Sequence, residues 1–339
     1  MTQLPASASF LEAVERIAPG LEQVERAMRD QLASASALVG DVCGHVLGAG
    51  GKRIRPALTL LAGELCGYTG PRCIQVGAAC ELLHTATLLH DDVVDVASMR
   101  RGQAAANVVW GNRRAILGGD FLYARASSMI VEDGDHDVLQ VFADAIRSMA
   151  EGELLQLERS FDASITERHY FSVIERKSAV LLSAACETGA IVAGVTRAEH
   201  RRVRDFGHEL GIAFQLRDDA LDYEAREATL GKRPCADLRE GKVTLPLLLA
   251  LKRCSPDERD LVAELLKDAA RAALAPERSE AIDLAPTLDI VGRYRGVSDT
   301  VRRAERHLAR AVAAIAPFAD CRAKQDLLAA ARYAVLRDC

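Results

Sequence analysis

Apolar residues recur at helical intervals through most of the chain. Phe206, Leu210, Ala213, Phe214 and Leu221 fall on one side of such a segment, and Gln215, Asp218 and Asp222, spaced i, i+3 and i+7, fall on another. This spacing predicts an amphipathic helix. Earlier in the chain, in HTATLLHDDVVD, His84, Thr87, Asp91 and Asp95 advance by three, four and four and so share one helical face. Short polar breaks punctuate the pattern: GYTGP at 67–71, EDGDHD at 132–137, GKRPCADLREGK at 231–242 and APERSE at 275–280. No long linker or low-complexity tract divides the chain, so the pattern predicts one all-helical domain over residues 1–339.

Composition sharpens this picture. Aromatics are only 4% while Ala, Leu, Glu and Arg abound, which favours helix over sheet. The 339 residues would suggest two domains of about 150 each on length alone, but the missing linker argues against a division. A net charge of -5 excludes bulk attraction to nucleic acid, so basic residues have to be read locally. The nine cysteines are odd in number and form no C-x-x-C pair, which suits a reduced, cytoplasmic protein with thiols used as small apolar groups. The N-terminal stretch lacks the basic and apolar parts of a signal peptide. The longest apolar runs, such as Leu245 to Leu251, fall far short of the ~20 residues needed to span a bilayer. A soluble protein is expected.

The candidate chemistry begins with carboxylates. The pattern D-D-x-x-D occurs twice, at Asp91, Asp92 and Asp95 and again at Asp218, Asp219 and Asp222, each time in apolar sequence. Carboxylates four apart project from one helical face about 5.4 Å apart along the axis. That spacing suits Mg²⁺, which takes one or two carboxylates and keeps positions for water and substrate phosphates. One such pattern fits a solvated helix end equally well. Two, each embedded where uncompensated charge would be costly to bury, favour metal binding, and two acidic helices would then face each other across one cavity. Neither segment has the alternating acids of an EF-hand loop, and no His/Cys cluster suggests zinc.

Cations accompany the acids. In GAGGKRIRP, Gly48 to Pro56, glycines let the backbone approach a ligand while Lys52, Arg53 and Arg55 concentrate positive charge. The spacing is not that of a P-loop. Arg100 and Arg101 follow the first acidic motif, Lys177 sits in ERKSA, and Lys232 and Lys242 bracket the loop after the second. His84 shares a face with Asp91. Carboxylates, Mg²⁺ and two separate groups of cations suit two diphosphate substrates.

With these residues in place the chain resembles the trans-polyprenyl diphosphate synthases of the isoprenoid synthase fold. The resemblance runs from about Val46 to Ala250, with weaker helical agreement beyond, including 255–339. It rests on GGKRIRP, HTATLLHDDVVD followed by RRG, GDFLYA, EGELLQL, Lys177-Ser178, FQLRDDALDY, LGK and EGKVTLPLL, and is nearest the long-chain, octaprenyl-type members. The resemblance implies a helical bundle with a central active-site cavity and a homodimer. It also implies Mg²⁺ ions, three with substrate bound, at the carboxylates of the two motifs, Asp91, Asp92, Asp95, Asp218, Asp219 and Asp222, with Asp91, Asp95 and Asp218 bridging them to the allylic diphosphate. An allylic diphosphate would lie on Arg100, Lys177, Ser178, Gln215, Lys232 and Lys242, and isopentenyl diphosphate on Lys52, Arg55, His84 and Arg101. Short-chain members commonly carry a bulky aromatic at the positions of Ala86 and Thr87, so their absence here implies a long product.

Three departures stand out. Cys235 replaces a usual glycine, Ser178 a usual threonine, and Arg217 a usual apolar residue that could leave it paired with a motif carboxylate. Alternative readings are a farnesyl- or geranylgeranyl-length synthase, a terpene cyclase or head-to-head condensing enzyme, and a non-catalytic partner subunit. The second diphosphate site argues against the cyclase, and two intact acidic motifs argue against the partner subunit.

Overall fold

A computed structural model describes residues 6–33, 36–224, 235–273 and 283–336. The chain divides into two compact units. The first comprises Met1–Ala145, Leu181–Gly207 and Ala314–Ala330, the second Ile146–Val180, His208–Ala313 and Ala331–Cys339. Both are helical, as the periodicity predicts. Among the described residues the sole sheet is a two-stranded hairpin, Met99–Arg100 with Gln103–Ala104.

In the first unit α1 (Ala6–Asp30), α2 (Ala37–Gly48), α3 (Ile54–Leu65), α4 (Pro71–Val94), α5 (Ala106–Trp110) and α6 (Asn112–Asp133) follow in order, and α7 (His136–Glu158) begins there. Pro71 opens α4, where its missing N–H costs nothing and its fixed φ suits the first turn. The helix is buried from Cys73 to Asp92 on nearly all sides and packs on α1, α3 and α6, which is why its sequence is more apolar than amphipathic. Gly119 of GDFLYA shows how close α6 comes: a Cβ there would lie 2.3 Å from the His90 ring. The hairpin was not expected. Arg101 (φ 51°) and Gly102 (φ 78°) form a two-residue turn with both φ positive, the conformation that matches strand twist, so RRG encodes a β-turn.

In the second unit α8 (Glu167–Ile174) is capped by Thr166, whose hydroxyl accepts from His169 N at 3.2 Å, and runs into a π-helical turn, Glu175–Ala179. From Leu181 the chain is back in the first unit, through α9 (Val180–Val192) and the start of α10 (Arg197–Glu224), which enters the second unit at His208. Then come α11 (Ala236–Arg239), α12 (Leu245–Leu251), α13 (Pro256–Ala273), α14 (Ala285–Arg293) and α15 (Gly296–Ile315), and last α16 (Arg322–Leu336), which lies in the first unit as far as Ala330. The core of the second unit joins Ile212, Ala213 and Leu216 of α10 to the wholly apolar α12. The expected break at 275–280 lies outside the described residues. No helix among the described residues is long and apolar enough to cross a membrane.

Candidate active site

The first acidic motif ends α4. Asp91 and Asp95 are half-buried one turn apart, and the Asp95 N–H donates to the Asp91 carbonyl at 2.8 Å as the helix closes. Asp92 points about 100° away, as the next residue of a helix must. It is only 1% exposed, and its Oδ1 accepts from Arg100 Nε at 2.8 Å and Nη2 at 2.5 Å. Its carbonyl accepts from Asn107 Nδ2 at 3.0 Å and Ala97 N at 2.9 Å. Expected among the metal carboxylates, Asp92 therefore ties the hairpin to the helix. Arg100, expected on the allylic diphosphate, donates to Asp92.

Cations gather beside the same helix. Arg101, at the hairpin turn, donates to the Gly50 carbonyl, and a Cβ on Gly51 would lie 3.0 Å from its guanidinium. Lys52 is exposed at the edge of this turn, and Arg55 is half-buried on α3. Arg53, one residue before α3, adopts a left-handed conformation with φ 46°. Its guanidinium donates to Glu25 at 3.3 Å, Glu81 at 3.2 Å and the Leu47 carbonyl at 3.0 Å. Burial, and then the charges of Arg55, Arg101, Arg100 and Arg53, push the His84 imidazole well below its ordinary pKa, so the ring is neutral at pH 7. The structure thus brings Arg55, His84 and Arg101 into one basic cluster. Ala86 is buried on α4, and Thr87, half-buried, donates its hydroxyl back to the His84 carbonyl at 2.8 Å.

In the second unit, Gly152 of EGELLQL lets α7 approach the π-helical turn closely. A Cβ there would lie 2.9 Å from Lys177 N. The neighbouring Glu153 pairs with Lys177. Ser178 Oγ donates to Gln215 Oε1 at 2.7 Å, Gln215 Nε2 to Asp219 Oδ1 at 2.7 Å, and the Tyr170 hydroxyl to Asp219 Oδ2. Lys177, Ser178, Gln215, Asp219 and Lys242 all line one cavity of about 140 Å³. Burial raises Asp219 to about 7 against the pull of its hydrogen bonds from Tyr170 and Gln215. Asp218 is half-buried beside it.

Asp222, also expected on metal, caps α11. Its Oδ1 accepts from Ala236 N at 3.0 Å and its Oδ2 from Asp237 N at 3.2 Å. Asp237 lines the same cavity and is held well above the carboxylate range by burial and then by Asp219 and Asp222. Lys232 lies outside the described residues. Glu153, Tyr170 and Asp237 join the site without a role expected from the sequence. Glu153 carries a signal in the EGELLQL motif, but Tyr170 carries none because its partner is 49 residues away.

The Polyprenyl synthetase family model matches residues 36–281. The chain belongs to that family. It is a prenyltransferase with the all-helical isoprenoid synthase fold. It is 40% identical over 324 residues to the octaprenyl diphosphate synthase of Escherichia coli, covering 96% of this chain and 98% of that one. Its structure is similar to a polyprenyl synthase of Caulobacter crescentus complexed with calcium and isoprenyl diphosphate (TM-score 0.88, 39% identity, 97% and 98% of the chains). It is also similar to a decaprenyl diphosphate synthase of Rhodobacter capsulatus (TM-score 0.88, 34% identity, 96% and 98% of the chains).

The departures from the polyprenyl synthetase pattern now have a structural setting. Cys235, in place of glycine, holds φ at 57°, the left-handed region that glycine enters without cost. Its N–H donates to the Asp222 carbonyl at 3.1 Å, which helps to hold the conformation. Ser178 keeps the hydroxyl that a threonine would supply to Gln215. Arg217 is buried and pairs with Glu224 at 3.0 Å.

Proposed function

We propose that the protein is a Mg²⁺-dependent trans-prenyltransferase that extends an allylic prenyl diphosphate with isopentenyl diphosphate. The observation that carries this reading is the basic cluster of Arg55, His84 and Arg101 beside α4, distinct in its residues from the lysine-bearing cavity at Lys177 and Lys242. Two separate cationic sites suit two diphosphates, which a cyclase acting on one diphosphate would not need.

The acidic residues fit a divalent ion shared with substrate. Asp91 and Asp95 carry carboxylates one turn apart at the end of α4. Among the described residues no three acidic, histidine or cysteine side chains converge to hold an ion unaided. Phosphate oxygens and water would complete the shell, as Mg²⁺ commonly requires. Asp91, Asp95 and Asp218 are the proposed ligands, for three ions when substrate is bound, with Asp92, Asp219 and Asp222 supporting them. Bound divalent ions supply charge neutralisation at the departing diphosphate.

Lys177, Ser178, Gln215, Lys242 and Lys232 hold the allylic diphosphate, and Lys177 is pre-placed by Glu153 until phosphate displaces it. Lys52, Arg55 and Arg101 bind isopentenyl diphosphate as cations, and neutral His84 donates one N–H. As the allylic C–O bond breaks, the isopentenyl double bond attacks the resulting cation, a C–C bond forms, and the released diphosphate accepts the proton lost from the adduct. No side-chain nucleophile is required.

The product is a long chain, in the range of about C35 to C50 with octaprenyl favoured, because neither Ala86 nor Thr87 carries a ring and each added isoprene unit needs only ~5 Å of depth. The two units act as one catalytic domain, since the chain passes from one to the other inside α7, α9, α10, α15 and α16. A second copy of the chain covers the exposed apolar residues Val109, Ile116, Leu117, Tyr123, Val131 and Leu139 of α5, α6 and α7. The eight cysteines among the described residues are free, which suits the cytoplasm. Incubation with labelled isopentenyl diphosphate, an allylic primer and Mg²⁺, followed by product chromatography, tests the reading. Elongated all-trans product is expected, whereas ionisation of the primer without incorporation of label would overturn it.

A further inference from the structure

A buried glutamate stands among the cations beside α4. Glu81 lies one turn before His84 and is 3% exposed. Its Oε1 accepts from Arg53 Nη1 at 3.2 Å. Its Oε2 is buried with no hydrogen-bond partner, and so is Nε of Arg55. The charge of Glu81 acts favourably on both Arg55 and Arg101. Among the described residues, the other carboxylate hydrogen-bonded to Arg53 is Glu25, on the more exposed rim of the cluster.

The physical problem is the density of like charge. Arg53, Arg55, Arg100 and Arg101 all bear on His84, and guanidinium groups so close repel one another strongly where water is scarce. A diphosphate would relieve that repulsion when bound. In its absence something else has to hold the cations in place. We propose that Glu81 is a positioning residue for the isopentenyl diphosphate site: its buried carboxylate fixes Arg53, and through Arg53 the Gly50–Lys52 turn, so that Arg55 and Arg101 are set for phosphate before substrate arrives. Arg53 does not contact substrate in this scheme. Its guanidinium is already engaged by Glu81, Glu25 and the Leu47 carbonyl, and its left-handed backbone is held by those contacts. Glu81 leaves one oxygen uncommitted, so it orders the cluster without consuming the groups that phosphate needs.

This inference rests on the proposed prenyltransferase reading, and the experiment separates the two. Glu81→Gln keeps the shape and removes the charge. Arg53→Lys keeps the charge and removes the fork that links Glu81 to the turn. Each is measured with the full-length protein for KM and kcat toward both substrates, for isopentenyl diphosphate affinity by calorimetry without primer, and for thermal stability.

For both variants the KM for isopentenyl diphosphate should rise by at least about tenfold, with calorimetric affinity falling in parallel, while the KM for the allylic primer changes by less than about twofold. A purely structural role would weaken both substrates equally or act only on thermal stability, and either result overturns the proposal. If both variants fail to fold, Glu81 and Arg53 are framework residues and the proposal likewise falls. Should wild type bind isopentenyl diphosphate but condense nothing, the functional reading fails while the positioning role is still decided by calorimetry.

Discussion

At the scale of single residues, like side chains have unlike tasks. Asp218 and Asp222 belong to the same D-D-x-x-D, yet Asp222 spends both oxygens on α11. Asp218→Ala should cut kcat by orders of magnitude, each ~1.4 kcal/mol of lost transition-state stabilisation costing tenfold, and leave stability close to wild type. Asp222→Ala should instead cost about 1 kcal/mol of stability as a lost cap, with Asp222→Asn recovering most of it. Thermal melts beside steady-state rates distinguish the two patterns, and equal rate losses without destabilisation would return Asp222 to the metal. His84 supplies a pH test. Its folded pKa lies well below the ordinary 6.5, so below pH 6.5 the unfolded chain takes up a proton that the folded one refuses. Stability contributed by the neutral ring is complete above pH 6.5 and is lost on acidification. In urea melts without substrate, His84→Gln should show a shallower fall in stability than wild type as pH drops below 6.5, and parallel curves would contradict this assignment.

Among the elements, the short connections carry more constraint than the helices they join. The π-helical turn at Glu175–Ala179 widens one turn where Lys177 and Ser178 sit, as such irregularities commonly do at functional sites. The turn into α11 depends on Cys235 at positive φ. Cys235→Gly removes the backbone cost but also a fully buried thiol, so the two effects should nearly cancel, leaving stability within about 1 kcal/mol of wild type. Cys235→Val adds a β-branched side chain at a left-handed position and should be destabilised by more than about 2 kcal/mol relative to Cys235→Gly. Denaturant titration of the three proteins measures the order. A valine variant as stable as the glycine one would show that the turn relaxes.

For the molecule as a whole, the length of the product is the property that no single contact sets. Ala86 is buried on α4, the helix that ends in Asp91 and Asp95, and a ring there has to occupy whatever space lies beside the helix. If that space is the path of the growing tail, Ala86→Tyr shortens the product to about C15 or C20 while condensation continues, because each turn of helix removed from the path excludes about one isoprene unit. Chromatography of products from wild type and variant, with one primer and one Mg²⁺ concentration, checks the outcome. Unchanged length would place the floor of the channel elsewhere. An insoluble variant would mean the space beside Ala86 is packed core, where added volume costs 1–3 kcal/mol or more by the usual order of magnitude.

The helices, the two acidic motifs and the shared face of His84, Thr87, Asp91 and Asp95 were legible in the sequence. They depend on backbone periodicity, which acts over three or four residues and does not need a partner. The family pattern added a glycine expected at 235, and the left-handed φ of Cys235 shows the backbone demand behind it. Helical periodicity did not announce the hairpin, although its Arg101-Gly102 turn was written in RRG. Only tertiary structure decided that Asp92 faces Arg100, that Tyr170 meets Asp219, that Glu153 holds Lys177 and that Glu81 lies under the arginines. Those pairings join charges and hydroxyls that packing brings together from distant parts of the sequence, and burial makes their loss costly. A motif can show which residues carry charge, but which of them stay available for substrate depends on the faces that meet when the helices pack.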